Sequence, residues 1–374
     1  MLQWFVTQGW VEGDLARLFD SLMFRSAFAL FFSFLIVVVF GRWFIGKLRN
    51  AMLIDIVNQD LAHIKHDHEG KKTTPTMGGI LIIGSALLSG LICADFTNSL
   101  VVLSLLVLIL FSALGSIDDW VKLKRLQKHR GITGAQKLIA QFCCAGLILW
   151  LYIGSANHDT IRPLLPFMRW DSDGGMWQYL FPFLTASVFC IWFMLIMVGS
   201  SNAVNLTDGL DGLATGVTLS TVITFAFLSY SAGNFILAEH FGIAHIAEAG
   251  ELTVTCACVV GALAGFLLFN SHKASVFMGD TGSLPLGAFA AAVALFSKME
   301  WTLPVVGGIF VLEAFSVILQ VSVFKITKGK RIFKCSPYHH HLQQKGYSEN
   351  KIVVSFWIIG GLLCIAGLAM LRLR

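Results

Sequence analysis

The sequence predicts an all-α integral membrane protein of ten transmembrane helices with both termini on the periplasmic side. Three observations carry that prediction. Of 374 residues, 56% are hydrophobic and 13% charged, about half the charged share of a soluble domain, and mean hydropathy is +0.74. Ten apolar runs approach or reach the roughly 20 residues that a helix needs to cross the hydrocarbon core. Finally, the basic residues between those runs fall unevenly on alternate sides, which sets an orientation.

The runs lie near 24–44, 76–94, 98–117, 137–155, 180–199, 213–232, 251–269, 283–298, 302–326 and 352–371. The eighth is short and marked by glycine and proline, so its ends are the least defined. What remains between the runs is too short for a separate domain, and residues 1–374 read as a single polytopic membrane domain. The first twenty residues carry Glu12, Asp14 and Asp20, and the run that follows is too long for the apolar core of a cleavable signal. Eight cysteines lie mostly inside apolar runs with no framework of spacings; they read as small core residues, not disulfides.

The loops 45–75, 118–137, 200–212, 270–282 and 327–351 hold eighteen Lys and Arg, and the opposite set holds five. The richer set therefore faces the cytoplasm. Nearly every unusual polar cluster falls in that same set, and the outside loops offer nothing comparable. Residues 233–250 mix apolar and polar side chains in the manner of an interfacial amphipathic segment.

The densest cluster is Gly199 to Ala214, which sits between two apolar runs yet carries two carboxylates, two carboxamides and three hydroxyls. Asn202, Asn205, Asp208 and Asp211 recur every third residue. Successive steps of three on a helix drift round its face, so neighbours touch but the whole set cannot share one side. Gly209 and Gly212 weaken a straight helix further. The expected shape is a helix end that breaks into a loop and offers oxygens and amides to an anion or a metal.

Asp118-Asp119 closes the third run, with Lys122 and Lys137 downstream. Adjacent carboxylates at a membrane boundary repel and need a cation, and hard oxygens suit Mg²⁺ together with substrate phosphates. Asp280 lies in Phe277-Met278-Gly279-Asp280-Thr281-Gly282-Ser283, where glycines allow close backbone approach and the next span supplies a helix N-terminus. Asn270 precedes it. The consecutive His339, His340 and His341 diverge in any regular structure, and a zinc site on Cys335 lacks a second ligand pair. With Lys328, Lys330, Arg331 and Lys334 nearby, these histidines suit a pyrophosphate or anionic headgroups. Carboxylates, amides and cations gathered on one membrane face are what phosphoryl transfer needs, with a lipid-borne reactant meeting the site at the bilayer edge. A cation-coupled transporter is the rival from another class, because intramembrane acids and glycine-interrupted helices also mark those. The acids here cluster at one surface, and no repeat halves are visible.

These motifs, Asp118-Asp119, Asn202 to Gly212, Phe277 to Asp280 and the histidine run, resemble the polyprenyl-phosphate N-acetylhexosamine-1-phosphate transferase family. Pro75-Thr76-Met77-Gly78-Gly79 and Ser336-Pro337-Tyr338-His339-His340-His341 resemble one branch, which moves phospho-MurNAc-pentapeptide from UDP-MurNAc-pentapeptide to undecaprenyl phosphate. The sister branch using UDP-N-acetylglucosamine is the alternative. The resemblance runs in order from about residue 65 to the C-terminus. It implies a ten-helix, usually dimeric, Mg²⁺-dependent enzyme of the bacterial inner membrane, with a cytoplasmic active site and no nucleic-acid partner. By that likeness Asp280 binds the metal with Asp118 and Asp119 close by. Lys71, Asn270, Phe277, Asp211 and Gln320 shape a uridine pocket, with Thr76 on the nucleotide side. Asn205, Asp208, His339 and His340 meet the sugar-phosphate, while Lys122 and Lys137 meet the phosphates; Asn202 and His341 complete the binding set. A phosphate monoester is already mostly a dianion at pH 7, so the paired aspartates are expected to act through metal and positioning, not as a base.

Overall fold

The computed structural model describes residues 13–50, 74–124, 131–155 and 182–373. These residues are almost entirely helical. In chain order the helices are α1 (Asp14–Asp20), α2 (Leu22–Asn50), α3 (Gly79–Cys93), α4 (Ser99–Lys124), α5 (Gly134–Ser155), α6 (Pro182–Thr207), α7 (Leu213–Gly233), α8 (Phe235–Phe241), α9 (Leu252–Asn270), α10 (Asp280–Phe296), α11 (Leu303–Val306), α12 (Gly308–Ile326), α13 (Tyr338–Gln344) and α14 (Glu349–Ala369). Each of the ten expected runs meets a helix. Eight helical stretches are long and apolar enough to cross a membrane; α3 and α10, with 15 and 17 residues, are shorter. This is a multi-pass membrane protein.

The bundle is built around α10. Every residue from Asp280 to Phe296 is buried, and the helix packs against α4, α6 and α7. Its sequence explains the placement, since Gly287, Ala288, Ala290, Ala291, Ala292 and Ala294 give a narrow cylinder that long neighbours can approach. One approach is especially close: a methyl group on Gly115 of α4 would overlap the carbonyl of Asp280. Beside this core, α9 packs against α2, α3 and α7. The eight cysteines are free thiols, as the sequence suggested.

Several run boundaries move; the first run continues as helix to Asn50 and the fifth to Thr207. The third run continues as helix to Lys124, which places Asp118, Asp119 and Lys122 on α4 itself and not in a loop. The ninth run is not one helix. It breaks at Gly307, whose φ of −91° and ψ of 23° end α11 before α12 starts at Gly308. Paired glycines at an apolar position carry the lowest helix propensity of any non-proline residue, and Pro304 begins the short piece. On α8, Phe235 and Ile236 are exposed, as an interfacial segment requires.

Candidate active site

The site lies where the end of α4, the start of α10 and the end of α6 meet. Side chains on a helix lean toward its N-terminus, so Lys122 in the last turn of α4 points back over Asp118 and Asp119. Its Nζ lies 3.0 Å from Asp118 Oδ2 and 3.6 Å from Asp119 Oδ1. It also donates to Asp280 Oδ2 at 2.9 Å. Lys137, from the first turn of α5, donates to the same Asp280 oxygen at 2.5 Å and to Asp118 Oδ2 at 3.4 Å. Asp118 and Asp119 are 2% and 3% exposed. Buried carboxylates survive only when paired, and here three of them share two ammonium groups.

The three carboxylates are not equivalent. Asp119 is taken up by the N-terminus of α10: it accepts from the Asp280 N–H at 3.3 Å, the Thr281 N–H at 2.9 Å and the Thr281 hydroxyl at 2.8 Å. A helix leaves its first N–H groups without intrahelical partners, and a neighbouring helix supplies the cap here. Asp118 accepts the Ile132 N–H through Oδ1 at 2.9 Å, which leaves Oδ2 toward the lysines. Asp280 keeps Oδ2 toward the same lysines while Asn205 donates to its Oδ1 at 2.7 Å. Asn205 also donates to Ser283 at 2.9 Å.

The polar stretch at the end of α6 takes the expected form. Helix runs to Thr207 and then breaks through a turn over Asp208 to Gly212, which has a φ of 76°. Its every-third-residue series fans out accordingly. Asn202 donates to Gln141 of α5 at 2.7 Å and to Val198 O at 2.8 Å, so it clasps two helices together. Asn205 reaches Asp280, and Asp208 is half-buried on the turn. Asp211 is buried and accepts the Ala274 N–H at 3.1 Å, with His272 Nδ1 at 3.9 Å. Asp211, His272 and Glu349 hold ligand atoms within 4.8 Å of one another.

Several other expected binding residues are engaged inside the fold. The Asn270 amide accepts from Thr215 at 2.6 Å and donates to Val276 O at 2.9 Å, fixing the loop that carries Phe277. That loop pairs with the Thr76 segment, where Phe277 N–H bonds Pro75 O and Gly78 N–H bonds Phe277 O, each at 2.8 Å. Thr76 is buried and Phe277 half-buried. Gln320 accepts from the Ile332 and Phe333 N–H groups at 3.1 and 2.9 Å. Lys71 lies outside the described residues. Of the histidines, His339 is 0% exposed and His340 is half-buried, with Nδ1 2.7 Å from Gln343. His341 accepts the Lys334 N–H at Nδ1, 3.1 Å away. Burial, then the charges of Lys345 and Lys334, lower the His341 pKa from the ordinary 6.5. Sequence reasoning missed Thr281, Ser283, Gln141 and Glu313. Glu313 alone had a signal, as an acid inside an apolar run.

A buried cluster of acid, lysine and carboxamide at one end of an apolar bundle suits chemistry on phosphorylated groups at a membrane. The sequence profile of Glycosyl transferase family 4 matches residues 101–298, which spans α4 through α10 and so includes both aspartate motifs. The chain is 41% identical to the phospho-N-acetylmuramoyl-pentapeptide-transferase of Desulforapulum autotrophicum over 359 residues, 96% of each chain. It is 42% identical to the same-named protein of Rickettsia prowazekii over 365 residues, 97% of each. That of Solidesulfovibrio magneticus is 42% identical over 359 residues, 96% of each. The chain belongs to glycosyl transferase family 4 and, within it, to the family of these phospho-N-acetylmuramoyl-pentapeptide transferases.

Proposed function

We propose that the protein transfers phospho-MurNAc-pentapeptide from UDP-MurNAc-pentapeptide to undecaprenyl phosphate, releasing UMP and forming lipid I for peptidoglycan synthesis. The observation that carries this reading is the convergence of Asp118, Asp280, Lys122 and Lys137, in a chain whose relatives are named for that transfer. The reading places ten helices in the bacterial inner membrane, termini outside, the site facing the cytoplasm, and a dimer as the working unit.

The donor set fits Mg²⁺. Asp118 Oδ2 and Asp280 Oδ2 face the same two ammonium groups, and three carboxylates to two lysines leave one negative charge that a divalent cation on hard oxygens would offset. When bound, Mg²⁺ neutralises pyrophosphate oxygens. Asp280 and Asp118 would hold it, while Asp119, bonded to the α10 N-terminus, holds Asp280 in place. Asn205 fixes the plane of the Asp280 carboxylate. Lys122 and Lys137 exchange carboxylate for substrate phosphate contacts, which stabilises the charge that spreads over equatorial oxygens during transfer. An oxygen of the lipid phosphate bonds to the sugar-linked phosphorus as the bond to the UMP oxygen breaks. That nucleophile is already a dianion at neutral pH, so no protein base is needed. Phe277 and Asp211 border the nucleotide, and Asp208 and His340 the sugar-phosphate.

The test is UMP release by purified protein in detergent from UDP-MurNAc-pentapeptide and undecaprenyl phosphate with Mg²⁺. Activity that depends on both reactants supports the assignment. Preference for UDP-N-acetylglucosamine in competition moves the protein to the sister branch, and no release with either nucleotide overturns the transferase reading.

A further inference from the structure

Glu313 sits in the second turn of α12, between apolar residues 309–312 and 314–315, and is 0% exposed. An acid buried at membrane depth is costly and is retained for a purpose. Its carboxylate accepts the His339 backbone N–H, 3.1 Å to Oε1 and 3.4 Å to Oε2. The same carboxylate lies 3.2 Å from the Nδ1 of the His339 ring. The backbone hydrogen bond fastens α13 to α12 at one point, and the imidazole lies beside the carboxylate without a hydrogen bond of its own.

The other edge of that imidazole meets the turn after α6. Gly209 has no side chain where one would overlap His339 Nε2. One face of the ring lies against His340, with centroids 4.2 Å apart. His339 therefore stands between the buried acid on one side and two groups expected on the sugar-phosphate side on the other, the Asp208 turn and the His340 ring. Its side chain is completely enclosed in this structure.

We propose that Glu313 is a positioning residue for the transfer. Acting through His339, it sets the places of the Asp208 turn and of His340 on the sugar-phosphate side. The inference rests on the transferase reading given above, and its failure is separable from failure of that reading. A carboxylate meets the His339 N–H with both oxygens, whereas an amide at position 313 offers one oxygen and turns an NH₂ donor toward the same buried N–H and ring.

The experiment is a double-mutant cycle on the full-length protein in detergent, using Glu313→Gln, His339→Gln and the pair, with Glu313→Asp as the conservative variant. UMP release supplies kcat and the KM for UDP-MurNAc-pentapeptide, and thermal unfolding is followed in parallel. Displacement of positioning groups by about 1 Å is worth about 100-fold in rate, so Glu313→Gln is expected to lower kcat by about that factor with KM little changed. Adding His339→Gln should cost no more than about threefold beyond the worse single variant, because the two act as one unit. Glu313→Asp should recover part of the loss. Activity of Glu313→Gln within about threefold of wild type overturns the inference, as do losses that multiply in the double variant. A loss of kcat matched by a rise in KM and a collapse of the unfolding midpoint also overturns it, since scaffolding alone would then account for Glu313. Wild-type protein releasing no UMP overturns the transferase reading instead.

Discussion

The hydroxyl of Thr281 offers a way to decide what Asp119 does. If Asp119 is a general base for the lipid phosphate, its link to Thr281 is incidental. If it holds the start of α10 so that Asp280 points correctly, the link matters. Thr281→Val removes the 2.8 Å bond between two buried side chains and keeps the shape. The Thr281 N–H still reaches Asp119 at 2.9 Å, so the carboxylate does not become unpaired. A hydrogen bond to a charged group contributes about 1.5–3 kcal/mol. At 1.36 kcal/mol per tenfold, the loss reaches about 10- to 150-fold in kcat if all of it falls on the transition state. The assay is UMP release at saturating Mg²⁺ for Thr281→Val, Asp119→Asn and the double variant, with a pH–rate profile for each. Positioning predicts that Thr281→Val is slow at every pH and that the double variant is little worse than Asp119→Asn. Thr281→Val within about threefold of wild type, together with an acid limb lost only in Asp119→Asn at normal metal affinity, refutes the argument.

Other outcomes follow from the same geometry. Asp280→Asn should lower kcat by at least about 1,000-fold and weaken Mn²⁺ binding measured by calorimetry without substrate, whereas Asp208→Asn should leave the metal titration unchanged. Gly115→Ala pushes a methyl group into the Asp280 carbonyl; overpacking against backbone costs about 1–3 kcal/mol, read as a lower unfolding midpoint with lost activity, while Gly46→Ala, which meets open space, should change neither. His341 has a folded pKa lowered from 6.5, so the native state binds its proton less readily than the unfolded chain. Its contribution to stability is present above 6.5 and fades as pH falls through the lower folded value. Thermal midpoints should drop on acidification in that window, and His341→Asn should flatten the dependence.

Much of this site was legible because its residues break the local pattern. Asp118-Asp119 and the series Asn202 to Asp211 stand out from apolar surroundings, and drift of every-third-residue positions round a helix foretold that Asn202 and Asp211 would face different neighbours. What stayed hidden depends on contacts distant in sequence. Nothing near Asp119 reveals that its partners lie 161 and 162 positions away at Asp280 and Thr281. Asn270 and Gln320 carry groups that suit a nucleotide, yet their amides hold loops in place. The break at Gly307 was invisible to hydropathy, which does not register a pair of glycines inside an apolar run. Glu313 was legible in principle and lost among stronger signals.

The depth of the cluster follows from the lengths of the helices that make it. At 1.5 Å per residue, the 17 residues of α10 rise about 25 Å, short of a hydrocarbon core of about 30 Å. A lipid-facing helix of that length would leave a mismatch, but α10 touches only protein. Its N-terminus is served inside the protein, with Asp119 capping the N–H groups that water would otherwise serve. Longer neighbours pass it: α4 continues five residues beyond Asp119 to Lys124, so Lys122 reaches back down from above. The carboxylates are thus buried, with the more exposed Lys122 at their rim. An α10 as long as its neighbours would bring Asp280 up to the rim and leave Lys122 above empty water.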